Sequence, residues 1–298
     1  MKPLQFPKQL QSIPASYQLP SSGDAGKLVN LKYQTKEAFH YFEGGKKITK
    51  RAIVYLPPNY DEQNRYNVFY LMHGGWSDET TYLGTPEHPS EFKNVLDNAI
   101  NDGVMTPMIV VCPTYNNLSP NDSSDYGLAL RLTAVYYHEL INDLMPAVAE
   151  SFSTFAENSS KNALAGSRDH RAFAGFSMGS VTTWQVFANA LDYLRYFMPS
   201  SGAIASNGSL PAEFVLRQAK HWDDFFIFAA SGTDDFAYPG FDGQIRSMIE
   251  DYPDVFRYSD DERFGNLYYL VAPNGTHGRR NALEDFYNGM IQLWKEGK

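Results

Sequence analysis

The sequence has 298 residues, 43% hydrophobic and 20% charged, enough for one large domain with a continuous core and unlike a disordered or fibrous chain. Its 25 Lys and Arg against 34 Asp and Glu give a formal charge of -9, which repels polyphosphates and anionic bilayers, so neither nucleic acid nor a membrane surface is an expected partner. The single cysteine, Cys112, excludes an internal disulfide and a cysteine-built zinc cluster.

Residues 1–26 are rich in Pro, Ser and Gln without a clear period, and read as an arm lying on a single domain formed by 27–298. No apolar stretch of signal-peptide length opens the chain, and none elsewhere approaches the roughly 20 apolar residues of a membrane span, so a soluble chain is expected. Strands are expected over 50–56, closed by Pro57-Pro58, and over 66–72, 108–112, 171–174, 196–199, 225–230 and 267–271. Helical periodicity marks 91–100, 128–150, 178–190, 212–220, 243–251 and 282–295, with a kink or stop at Pro146 in the second. Strands alternating with helices predict a mostly parallel central sheet. Cys112 ends the apolar run from Met108 and reads as a buried strand residue.

The expected strand at 171–174 runs into Gly175-Phe176-Ser177-Met178-Gly179 and then a helix, the layout of a nucleophile elbow. The serine sits on a sharp turn, and the two glycines let strand and helix cross where a side chain would block them. This predicts the α/β-hydrolase fold, with helices on both faces of the sheet and Ser177 as nucleophile.

Ser177 then needs a base and an acid that follow it in that fold's chain order, Ser, Asp or Glu, His. Two of the seven histidines lie beyond it. His221, beside Trp222 in a helical stretch, reads as a surface or interhelix residue. His277, in Pro273-Asn274-Gly275-Thr276-His277-Gly278 between the last strand and the last helix, is the expected base. The acid belongs at the end of 225–230, where Ser231-Gly232-Thr233-Asp234-Asp235 offers two carboxylates and the spacing alone leaves both open. Upstream, Met72-His73-Gly74-Gly75-Trp76 leaves a strand through an HGG turn. The backbone N–H groups of Gly75 and Met178 are the expected oxyanion donors, and His73 is read as structural. No phosphate-binding loop or HExxH pattern occurs, and ester hydrolysis calls for no metal or cofactor.

These residues resemble the feruloyl esterases of plant cell-wall degradation, especially the modules attached to bacterial xylanases. The resemblance runs from Arg51-Ala52-Ile53-Val54-Tyr55-Leu56-Pro57 to the C-terminus. It includes His170-Arg171-Ala172-Phe173-Ala174 leading into the Ser177 pentad, Gly232-Thr233-Asp234-Asp235-Phe236-Ala237-Tyr238, and Leu270-Val271-Ala272-Pro273 leading to His277. It implies a Ser177, Asp235 and His277 triad and selects Asp235 over Asp234. It also implies hydrolysis of the ester joining ferulate to arabinose on xylan, with feruloylated arabinoxylan as partner and secretion or an extracytoplasmic location. Ser180 stands where the family usually has glycine, and Gly278-Arg279 where aromatic residues often follow the histidine. Trp76, Phe236 and Tyr238, beside the catalytic motifs, are candidate substrate contacts. An acetylxylan or general carboxylesterase would share the triad, whereas a non-catalytic carbohydrate-binding relative would usually lack one of its members.

Overall fold

The computed structural model describes residues 1–218 and 224–295; His221, Trp222 and the end of the helix expected over 212–220 lie outside the described residues. The strands are β1 (Lys27–Lys36), β2 (Lys47–Leu56), β3 (Asn67–Met72), β4 (Met108–Cys112), β5 (Arg171–Phe176), β6 (Tyr196–Ser200), β7 (Phe226–Gly232) and β8 (Leu267–Ala272). Among the described residues they form one sheet in the order β1-β2-β4-β3-β5-β6-β7-β8. β2 pairs antiparallel with β1 and β4, and every pairing from β4 to β8 is parallel. Both faces of such a sheet must be covered, which is why β3, β4 and β5 are buried along their whole length.

Two apolar layers do the covering. On one face Phe92, Val95 and Leu96 of α1 (Glu91–Asn101) pack with Leu283, Phe286 and Met290 of α8 (Arg279–Met290). On the other lie α2 (Tyr126–Glu139), α3 (Met145–Ser151), α5 (Met178–Asn189), α6 (Ser209–Arg217) and α7 (Tyr238–Asp251), with a short α4 (Lys161–Gly166) nearby. The arm lies on the α8 face: Phe6 stacks on Phe228 at 4.4 Å, and Gln11 exchanges two backbone hydrogen bonds with the Asn288 amide, both 2.8 Å.

The structure adds β1 and α4 to the expected elements. β1 alternates buried and exposed residues, but its outward Lys and Asn positions dilute the strand signal. The long helix expected over 128–150 is α2 and α3 joined by a π-helical turn, Leu140–Leu144. Pro146 therefore falls in the first turn of α3, directly after the π-helical turn, and the interruption precedes it. α7 begins five residues before the expected 243, with a proline in its first turn.

Candidate active site

The elbow is built by backbone crossing. A Cβ on Gly175 would stand 2.2 Å from the Gly179 carbonyl oxygen, and one on Gly179 would stand 2.4 Å from that of Met72, so neither position admits a side chain. Ser177 is thereby held at φ 59° and ψ -121°, a conformation that costs a non-glycine residue about 1–3 kcal/mol and persists because its surroundings fix it. Its N–H donates to the Ser200 carbonyl of β6 at 2.9 Å, and its own carbonyl accepts from Ser180 and Val181 at 2.9 and 3.1 Å. The hydroxyl of Ser180 is accommodated by donating to the Gly202 carbonyl at 2.7 Å.

The HGG turn lies against this elbow: a Cβ on Gly74 would come within 3.5 Å of Ser177 Cβ. His73 is buried, its Nδ1 is 2.7 Å from the Gly74 carbonyl and its Nε2 is 2.7 Å from the Thr114 hydroxyl. Burial pushes its pKa down to about 4, so it is a neutral strut with Nδ1 as donor. Behind it, Ser123 accepts from Trp76 N–H through its carbonyl at 3.0 Å and from Ser77 N–H through its hydroxyl at 3.1 Å. Gly75 is left facing the cleft, and Met178, the first residue of α5, offers an amide the helix itself does not use.

On the opposite wall the loops after β7 and β8 are stitched together. Thr233 N–H donates to the Ala272 carbonyl at 3.0 Å, and Asp234 N–H to that of Gly275 at 2.9 Å. This brings the His277 Nδ1 to 2.7 Å from Asp235 Oδ1, which also accepts from the Ala237 amide at 2.7 Å. Asp235 is buried. Burial alone would raise its pKa, but the bonds from His277 and the Ala237 amide outweigh it and hold the carboxyl below its usual range. Asp234 instead turns to the Thr233 hydroxyl at 3.1 Å. The imidazole of His277 is flanked by Phe176 and Phe236, with ring centroids 4.6 and 4.1 Å away.

Ser177, His277, Gly75, Trp76 and Phe236 line one cleft of about 310 Å3. Trp76 and Phe236 are 71% and 79% exposed at its rim. Tyr238 is absent from the lining: it is half-buried at the start of α7, where it interacts with Arg246. Among the wall residues that sequence reasoning missed are Thr81, Tyr82 and Arg279; the Arg279 guanidinium donates to the carbonyls of Thr81 and Tyr82, tying α8 to the loop after the HGG turn. Only tertiary contact reveals that link. Cys112 is buried in β4, where burial raises its thiol pKa and keeps it inert. Among the described residues no group of three or more His, Cys, Asp or Glu is placed to hold a metal ion, and no helix is long and apolar enough to cross a membrane.

The fold and the elbow define the α/β-hydrolase class of serine hydrolases. The Esterase family model matches residues 47–198, and the chain belongs to that family, together with the feruloyl esterase modules. It is 38% identical over 275 residues, 90% of this chain, to endo-1,4-beta-xylanase Y of Acetivibrio thermocellus, of whose length it spans 23%. A solved structure of a serine-to-alanine mutant of the feruloyl esterase module from Clostridium thermocellum, complexed with sinapinate, is 35% identical. It superposes with a TM-score of 0.83 over 99% of this chain and 97% of that one. The CE1 ferulic acid esterase of Anaeromyces mucronatus shares the fold, with a TM-score of 0.67 at 19% identity, covering 96% and 98% of the two chains.

Proposed function

We propose that this chain hydrolyses the ester joining ferulate, or a related hydroxycinnamate, to arabinose on xylan, acting outside the cytoplasm where that polymer lies. The observation that carries the reading is the shared cleft of Ser177 and His277, with His277 hydrogen-bonded at 2.7 Å to the buried Asp235. Similarity to a module seen with sinapinate, and to a xylanase, supports the substrate class.

His277 Nε2 takes the proton of Ser177 Oγ as that oxygen adds to the ester carbonyl. Asp235 keeps the proton on Nδ1 and stabilises the imidazolium that forms. The carbonyl oxygen, now an anion, accepts from the Gly75 and Met178 amides, donors fixed before the reaction begins. Collapse breaks the bond to the sugar oxygen, which leaves as an alcohol with the proton from His277, and Ser177 holds the acyl group. Water deprotonated by His277 then attacks the acyl-enzyme, and Ser177 regains its proton as the free acid departs. Trp76 and Phe236 would contact the planar acyl group at the rim.

Specific rates on methyl ferulate, methyl sinapate and naphthyl acetate test the reading. A higher kcat/KM on the hydroxycinnamates is expected. Turnover of the acetate alone would replace this substrate class with that of a general carboxylesterase.

A further inference from the structure

A second and larger depression, about 1140 Å3, follows the outer edge of β8 beyond Leu267, whose backbone pairs with that of Arg257 and Ser259. Tyr268 to Ala272 form its floor, arm residues from Lys8 to Ser12 one wall, and the Pro273 to Gly278 loop its far end. Gly278 borders both this groove and the Ser177 cleft. The two hollows therefore flank the loop that carries His277, and at the head of α8 Arg279 lines the cleft while Arg280 lines the groove.

The chemistry of the lining is distinctive. Tyr258, 49% exposed, presents an aromatic face and leans on Tyr268 with ring centroids 5.5 Å apart. Each charge in the groove has an opposite neighbour: Lys8 meets Asp260 at 2.5 Å, and Arg280 meets Glu284 at 3.3 Å. An ion entering would meet both signs, so charge selects no ionic ligand. An uncharged chain rich in hydroxyls finds a ring to stack on and neutral donors and acceptors such as Asn274.

We propose that this groove is a subsite for the neutral polysaccharide backbone whose side-chain ester enters the Ser177 cleft. The proposal rests on the esterase reading above, and its length of contact would let the polymer be held while the ester is cleaved. An extended peptide added to the open edge of β8 is the competing occupant.

Calorimetric titration of the whole chain with unesterified xylohexaose tests it, since that probe has no ester and binding is independent of catalysis. Wild type is expected to bind, and Tyr258→Ala to bind up to about tenfold more weakly, the scale of one lost aromatic contact, with its fold retained by circular dichroism. On feruloylated arabinoxylan the same variant should raise KM and leave kcat alone. No binding by wild type, equal binding by the variant, or protection of the 268–272 amides by extended peptides instead of by the sugar would overturn it. Methyl ferulate turnover by wild type separately tests the esterase reading, so the two can fail independently.

Discussion

Asp235 and His277, 42 positions apart in the sequence, meet at 2.7 Å because the two loops that carry them share backbone hydrogen bonds. Asp234, its neighbour, is exposed and faces the Thr233 hydroxyl. Asp235→Asn should therefore lower kcat by about 10⁴-fold, since the amide can no longer hold His277 in the tautomer that accepts from Ser177. Asp234→Asn should stay near wild type. Steady-state rates on methyl ferulate for the two variants check the assignment, and the reverse ranking would move the acid to Asp234.

The crossing at Gly179 sets a second expectation. Alanine would gain about 1 kcal/mol of helix propensity. Its Cβ, however, would stand 2.4 and 2.7 Å from the backbone carbonyls of Met72 and His73, which cannot turn aside. Overpacking against a fixed backbone costs about 1–3 kcal/mol or more and wins. Thermal unfolding should show Gly179→Ala melting several degrees lower, with activity lost; an unchanged melting temperature would mean the elbow is looser than this geometry.

The rim residues should separate in kinetics. Trp76→Ala is expected to raise KM about tenfold on methyl ferulate with kcat retained, the scale of one lost aromatic contact. Phe236→Ala should lower kcat as well, because its ring also packs on His277. Tyr238→Ala should change neither, in keeping with its position outside the cleft. A large KM effect at Tyr238 would show that the substrate reaches α7.

Stability should carry the mark of Asp285. This carboxyl in α8 is buried and accepts from the Ser200 hydroxyl at 2.5 Å, one residue's backbone away from the Ser177 amide. Burial pushes its pKa up to about 7, against the lowering effect of Ser200 and with support from nearby Glu284 and Asp235. The folded state thus holds this proton after the unfolded state has released it, and stability falls as pH rises from about 4 to about 7, then levels. Asp285→Asn should abolish that decline and gain on wild type at pH 8 relative to pH 4. Asp235 acts oppositely and elsewhere: its lowered pKa gives stability that is lost only as pH falls below the ordinary carboxylate range. Urea midpoints across pH 4–8 check the first effect; parallel curves for wild type and Asp285→Asn would remove it.

Much of this arrangement was legible in the sequence. Strand patterns alternating with helical ones predict the mostly parallel sheet, and Gly175 and Gly179 around Ser177 predict the crossing. Edge strand β1 was hidden because a strand with one solvated face carries lysines, and the π-turn at Leu140–Leu144 has no local signature beyond the proline that follows it. The start of α7 is marked by Pro239 in its first turn, a helix-initiation signal that lies outside the periodic stretch 243–251. Tyr238 is close to Asp235 in the chain, but the first turn of α7 places it beside Arg246. The bracing by Thr114, Ser123 and Arg279 joins segments distant in sequence, and no local pattern encodes it.

The central claim is that Ser177 is the nucleophile. Brief reaction with a fluorophosphonate, followed by peptide mass spectrometry, tests it most directly. A single adduct on Ser177, formed in step with loss of methyl ferulate hydrolysis and absent from Ser177→Ala, is the predicted result. An adduct on another residue, or undiminished hydrolysis by Ser177→Ala, would contradict it.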